Sequence, residues 1–112
     1  MAVTQANLDL IINATQASQL RKTTMADASG TLAAASTSQL AVAANAARQF
    51  LLIQNVSAAD LWINETVAAV LAQPSIKIAA GASLVFDGTF CPTGAINIIG
   101  GTISQAYVVK QG

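Results

Sequence analysis

The chain has 112 residues with no histidine and one cysteine. Without histidine, serine–histidine and cysteine–histidine catalysis and histidine-ligated metal centres are excluded. The single cysteine, Cys91, cannot form an internal disulfide. We expect Cys91 to be a structural thiol rather than a nucleophile, because no neighbour in the sequence is a base or a cation that would lower its pKa.

Charge is also scarce: only 9% of the residues are charged and the net charge is zero, whereas soluble domains average about 25% charged residues. Residues 28–47 and 88–109 carry no charge. Because monomers stay soluble through a charged surface, we infer that much of this surface lies against another protein. The alternative is a compact monomer with a neutral polar exterior.

Several partners are disfavoured. Arg21 and Lys22 form the only adjacent basic pair, and binding to a phosphate backbone needs several clustered cations. No apolar run approaches the roughly twenty residues of a membrane span. The early stretch "LDLIINA" is short and contains Asp9, so we expect no signal peptide. Nucleic acid and membrane are therefore not expected partners.

The carboxylates offer little chemistry. Asp60 and Glu65 are close in sequence and would do acid–base work only if they met across a strand end. One of them could also contribute to a calcium site, but the density of oxygen ligands is low. A turn role for Asp60 and a strand-end role for Glu65 are favoured. We expect no enzymatic activity, no cofactor and no metal, and we interpret the Asn-x-Ser/Thr sequons at Asn13, Asn55 and Asn64 as chance.

Residues 1–28 differ from the rest of the chain and are predicted to form an arm. A helix over about residues 5–20 would place Leu8, Ile11 and Ile12 on one face, although "LDLII" also fits a strand. The apolar stripe is too narrow for a core, so we expect these residues and Leu20 to be assembly contacts. The small residues of 29–37 predict a flexible connection to the following domain.

Residues 38–112 have the pattern of a β domain. "SQLAVAAN" predicts an edge strand and "RQFLLIQN" an inner strand. We predict hairpins for "RQFLLIQNVSAADLWIN" and "IKIAAGASLVFDG", followed by strands in "PTGAINIIGG" and "SQAYVVKQG". The short run "ETVAAVLAQ" fits a helical turn or a loop. Six or seven short strands indicate a small antiparallel β-sandwich or barrel, jelly-roll-like, with a helical or extended N-terminal arm.

Two aromatic residues remain as candidate contacts. Trp62 alternates with the inward-pointing Leu61 and Ile63 and so lies on the opposite face of its strand. We expect Trp62 and Tyr107 to pack on a sheet or at a subunit interface. A platform for a sugar or a peptide is the alternative, and it would require polar groups clustered beside the rings.

The stretches "AANAARQFLLIQNVSAADLWIN", "IKIAAGASLVFDG" and "PTGAINIIGGTISQAYVVKQG" together resemble small bacteriophage virion structural proteins of the capsid decoration, or cement, type. The resemblance covers about residues 38–112 and consists of patterned strands and turns. It implies a non-enzymatic protein that stabilises the head by bridging capsid subunits. The implied partners are the major capsid protein and further copies of the chain in a homotrimer.

The resemblance also implies that the chain is made in the host cytoplasm and resides on the outer capsid surface of the virion. Two alternatives stay open. One is a head-fibre or tail-fibre component whose arm anchors it to the particle, and the other is a small receptor- or carbohydrate-binding β module.

Overall fold

The computed structural model describes residues 24–112, and every regular element within them is a β-strand. The predicted arm helix and the candidate contacts Leu8, Ile11, Ile12 and Leu20 lie outside the described residues. The strands are β1 Ala26–Asp27, β2 Gly30–Thr31, β3 Gln39–Val42, β4 Leu51–Asn55, β5 Leu61–Asn64, β6 Ile76–Ile78, β7 Ser83–Phe86, β8 Ile96–Gly100 and β9 Ala106–Gln111.

The strands form two antiparallel sheets. Sheet A has the order β1-β9-β4-β7, and β2 also pairs with β9; sheet B has the order β3-β8-β5-β6. Both sheets contribute residues to one hydrophobic core, as in a small β-sandwich. The predicted antiparallel β architecture is therefore confirmed for the described residues.

The core follows the two-residue period of the strands. Alternate side chains point to opposite faces of a sheet, so one face of each of the inner strands β4, β5, β8 and β9 is apolar and buried. Fully burying such a side chain contributes roughly 1.5–3 kcal/mol. The fully enclosed apolar residues, each at most 1% exposed, are Leu32, Leu51, Ile53, Leu61, Ile63, Ile96, Ile98 and Val109.

The predicted hairpins are wrong, although the strands they contain are present. β4 belongs to sheet A and β5 to sheet B, and β6 and β7 are divided in the same way. β8 and β9 also lie in different sheets. Each of these connections therefore crosses the sandwich instead of returning beside its own strand. Among the described strands that follow β3, only β5 and β6 are consecutive and paired.

The crossing at Gly81 shows why a turn signal does not fix the pairing. Gly81 has a φ of 79°, a conformation that glycine adopts without steric cost. Its N–H donates to Asn55 O at 2.8 Å, and Asn55 N–H donates to Ala82 O at 2.9 Å. The turn predicted at this glycine is present, but its hydrogen bonds guide the chain onto β4 rather than back onto β6.

The segment predicted as a flexible connection, residues 29–37, is partly ordered structure. Gly30 lies opposite Tyr107 in the β2–β9 pair, and Leu32 is 1% exposed. A single large apolar residue that fills the core anchors this otherwise small-residue stretch. The packed β structure consequently begins near Ala26 rather than at residue 38.

Candidate interaction surface

The connection between β5 and β6, residues 65–75, lies over the outer face of sheet B. Asn97 points outward from β8 and donates from Nδ2 to Val67 O at 3.0 Å. Ala69 N–H donates to Ser38 Oγ at 2.9 Å. Although "ETVAAVLAQ" contains a possible helical turn, the chain here is a loop. Side chains of sheet B and of the segment before β3 hold it in place.

This loop and the neighbouring edge strand expose an apolar patch, defined here as Leu40, Val67, Val70 and Leu71. Their exposed fractions are 54%, 56%, 41% and 42%. Leu40 lies opposite Asn97 in the β3–β8 register, which places it beside the loop that Asn97 binds. None of the four residues is charged, so the patch is suited to contact with another protein surface.

Trp62 lies at one side of the same face. In the sheet register it is opposite Ile99 on β8 and Lys77 on β6. Trp62 is half-buried, and Ile99, although on the outer face, is only 5% exposed. The indole therefore lies in a row of side chains across the sheet, and its position on the face opposite Leu61 and Ile63 is as predicted.

Tyr107, the other predicted contact, is 4% exposed and belongs to the core cluster. Its hydroxyl accepts a hydrogen bond from Gln39 Nε2 at 3.2 Å. The phenol ring thus fills the sandwich while its polar end is satisfied by a neighbouring side chain, as buried tyrosines require. Trp62 and Tyr107 lie in different sheets and do not form a joint aromatic platform.

Arg48 is a buried residue whose role the sequence did not reveal. Its side chain is 3% exposed and donates to four acceptors on three separate segments. These are Ala43 O at 2.7 Å, Pro92 O at 2.6 Å, Gly94 O at 3.0 Å and Gln111 Oε1 at 2.9 Å. Burial lowers the pKa of Arg48 from its ordinary value, but an arginine remains charged in proteins. Arg48 therefore ties together the segments before β4, before β8 and at the end of β9.

Cys91 lies beside this arginine in the loop before β8. It is half-buried, and burial raises the pKa of its thiol, while the positive charge of Arg48 opposes that shift. Arg48 is distant from Cys91 in sequence, so inspection of the sequence neighbours of the thiol did not reveal this cation. The net effect of burial still favours the protonated thiol, which is a poor nucleophile.

Two of the sequons are structural turns. Asn55 and Asn64 are 0% and 1% exposed, so neither side chain is open to solvent for modification. Asn55 Oδ1 accepts from Ser57 N at 2.9 Å and from Ser57 Oγ at 2.6 Å. Asn64 Oδ1 makes the matching bonds to Thr66. The Ser or Thr two positions after each asparagine thus completes an Asx turn.

The carboxylates do not form a pair. Asp60 precedes β5 and Glu65 follows it. The whole length of β5 therefore separates the two carboxylates, at a rise of about 3.3 Å per residue. Asp60 instead pairs with Lys77 at 3.3 Å. Glu65 Oε2 is a buried oxygen without a hydrogen-bond partner among the described residues. Within residues 24–112, no three His, Cys, Asp or Glu side chains are grouped as metal ligands.

The described part of the chain contains no helix that is long and apolar enough to span a membrane. No family model, no curated protein and no solved structure matches the chain.

Proposed function

We propose that this chain is a non-enzymatic virion structural protein that decorates a bacteriophage capsid and bridges capsid subunits. The observation that carries the proposal is the apolar patch on sheet B. Four aliphatic residues of the β5–β6 loop and the neighbouring β3 edge are exposed on a chain with only 9% charged residues. Such a surface contributes to stability when a second protein covers it.

Hydrogen bonds hold the loop that carries the patch, which suits a docking surface. Asn64 Oδ1 accepts from Thr66 N, Thr66 Oγ1 and Val67 N at 2.8–3.0 Å. Ser75 Oγ accepts from Val70 N at 2.9 Å. The loop that carries the patch is thus held at both ends, and little conformational entropy is lost when a partner binds.

The N-terminal arm is proposed as a second attachment element. Thr24, the first described residue, lies next to Gly112 at the end of sheet A. Residues 1–23 contain none of the described strands. We expect the shortened chain to keep its β circular-dichroism spectrum and to lose attachment to the capsid. Unchanged attachment of the shortened chain would contradict a role for the arm.

The patch is tested with purified chain and particles of the phage that encodes it, by co-sedimentation. Val67→Glu places a charge in the patch, and Ile103→Glu places one at a similarly exposed site in the turn between β8 and β9; the two residues are 56% and 59% exposed. We expect Val67→Glu to reduce the bound fraction at least tenfold and Ile103→Glu to leave it unchanged. Equal binding by the two variants would exclude the patch as the docking surface.

A response of Trp62 fluorescence to host glycans would instead favour a carbohydrate-binding module. The decoration role predicts no response, because Trp62 lies within a row of side chains on sheet B.

A further inference from the structure

Within residues 24–112, each of the two sheets has two edges, and these edges differ in how they are protected. An edge strand presents unpaired N–H and C=O groups, and natural proteins block such edges with charges, bulges, proline or short strands. Among the described strands, the edges are β1 with β2 and β7 in sheet A, and β3 and β6 in sheet B.

Three of the edges carry a blocking feature. β1 and β2 have two residues each, and Asp27 in β1 pairs with Lys110 at 3.2 Å. The register of β3 is irregular between Leu40 and Val42. β6 has three residues with Lys77 at its centre. Each of these features disfavours the addition of a further strand.

β7 has none of these features. It pairs with β4 in an unbroken four-residue register, from Leu51 opposite Phe86 to Gln54 opposite Ser83. Residues 79–86, "AAGASLVF", contain neither a charge nor a proline. Val85 on this strand is 48% exposed. β7 is therefore a regular, uncharged edge, and such an edge is a template for pairing with another strand.

The ladder shows which backbone groups of β7 have no partner within residues 24–112. Asn55 N–H donates to Ala82 O at 2.9 Å, and in an antiparallel pair the bonded positions alternate along the strand. Leu84 and Phe86 therefore direct their N–H and C=O groups toward β4, as Ala82 does with its C=O, while the Ala82 N–H donates to Ala79 O at 2.9 Å. Ser83 and Val85 direct their N–H and C=O groups away from β4, toward the open edge.

We propose that β7 is a homotypic interface at which two copies of this chain pair their β7 strands antiparallel about a two-fold axis at Leu84. Ser83 of each copy then lies opposite Val85 of the other. The two free N–H groups and two free C=O groups of each copy thus all form hydrogen bonds with the other copy. Leu84 faces Leu84 of the second copy, and Phe86 faces the small Ala82 of the second copy. Sheet A continues from one copy into the other.

The occupant is a second copy because the edge is complementary to itself. The free groups at Ser83 and Val85 match their own arrangement after a two-fold rotation, and no like charges meet across the axis. Leu84 and Phe86 are only half-buried although they pack against the core. Phe90, 67% exposed, extends this apolar surface through its contact with Phe86, whose ring centroid is 6.3 Å away.

This contact goes beyond the proposed function, since it forms between free chains without any capsid. An isologous pairing closes with two copies, whereas the trimer implied by the resemblance needs a heterologous contact. Molar mass in solution therefore tests the pairing independently of capsid docking.

The test compares the full chain with Val85→Lys and Val56→Lys by light scattering over a range of concentrations. Val85 and Val56 are 48% and 49% exposed, but Val56 lies after β4 and away from the free edge. We expect the wild type and Val56→Lys to have twice the 11.4 kDa mass of one chain, and Val85→Lys to have half the wild-type mass. A wild-type monomer or trimer, or equal masses for all three proteins, would overturn the proposal.

The register of the proposed β7–β7 pair is tested by disulfide formation in a Cys91→Ser background, which removes the native cysteine. Leu84→Cys would face itself in a non-hydrogen-bonded pair with Cα atoms about 4.5 Å apart, within disulfide range. Ser83→Cys would be diagonal to its equivalent at about 7–8 Å, beyond that range. Oxidation should give a disulfide-linked dimer for Leu84→Cys and monomer on a non-reducing gel for Ser83→Cys. No dimer for Leu84→Cys, or equal dimer for both, would overturn the proposed pairing.

Discussion

Asn55 and Asn64 end two strands in different sheets with the same turn, since each Oδ1 accepts from the backbone N–H and the hydroxyl of the residue two positions later. Their amide nitrogens differ. Asn55 Nδ2 donates to Ala59 O at 2.8 Å and to Ile78 O at 2.9 Å, whereas Asn64 Nδ2 lies 3.4 Å from Ser75 Oγ. Asn55 therefore joins the turn to β6 in the opposite sheet, while Asn64 serves its own loop.

Replacement of each asparagine by aspartate tests this difference. Aspartate keeps the acceptor of the turn but directs its second oxygen at two carbonyls in Asn55→Asp and at a hydroxyl in Asn64→Asp. Because the Ser75 hydroxyl can rotate to donate, we expect Asn64→Asp to cost about 1 kcal/mol and Asn55→Asp about 3 kcal/mol or more. Urea denaturation measures both values, and an equal loss would contradict the assigned roles.

Replacement of Arg48 should be among the most damaging substitutions. Arg48→Met leaves the carbonyls of Ala43, Pro92 and Gly94 without their donor, at an expected cost of at least about 3 kcal/mol. Lys77→Met is the control, since it removes a solvent-exposed ion pair and should cost no more than about 1 kcal/mol. Similar denaturation midpoints for the two variants would show that Arg48 does not hold these segments together.

The close approach at Gly100 predicts a strong dependence on side-chain size. A Cβ at Gly100 would overlap Gln105 Oε1 and lie 2.8 Å from Leu32 Cδ1, whereas a Cβ at Gly101 meets nothing within 4 Å. We expect Gly100→Ala to destabilise the fold by about 1–3 kcal/mol and Gly101→Ala to have little effect. Thermal unfolding measures both, and tolerance of alanine at Gly100 would refute this packing.

Cys91 predicts a pH dependence of stability. Burial raises the pKa of its thiol in the folded chain, so above the pKa of an exposed cysteine, about 8.5, the unfolded chain ionises first. The stabilising effect of the protonated thiol is therefore present at neutral pH and is lost as the pH rises. Between pH 8 and 10 the wild type should lose more unfolding free energy than Cys91→Ser, and parallel pH profiles would contradict the shift.

The alternation of apolar residues predicted the strands of this fold but not their partners. Leu61 and Ile63 face the core and Trp62 the opposite side, as the two-residue period requires. The predicted strand pairing was wrong because the turns at residues 56–60 and 79–82 are compatible with both a hairpin and a crossing between sheets. What distinguishes them is hydrogen bonding between residues distant in sequence, such as Asn55 with Ile78.

The sequence predicted that the chain has a protein-contact surface, but not which residues form it. Low charge indicated a protein contact, but the positions of the patch depend on Asn97 holding the β5–β6 loop across sheet B, a contact between residues 30 apart. Arg48 was missed for the same reason, since its acceptors are up to 63 residues away. An arginine beside an apolar strand is usually exposed, and its burial here depends on carbonyls that tertiary structure brings together.

The central claim is tested most directly by quantitative mass spectrometry of gradient-purified particles from a culture that carries this gene. A capsid decoration protein should co-purify with the major capsid protein at a fixed copy ratio, and protease treatment of intact particles should remove it first. Absence of the chain from the particles, or its presence only in the soluble lysate, would contradict the proposed role.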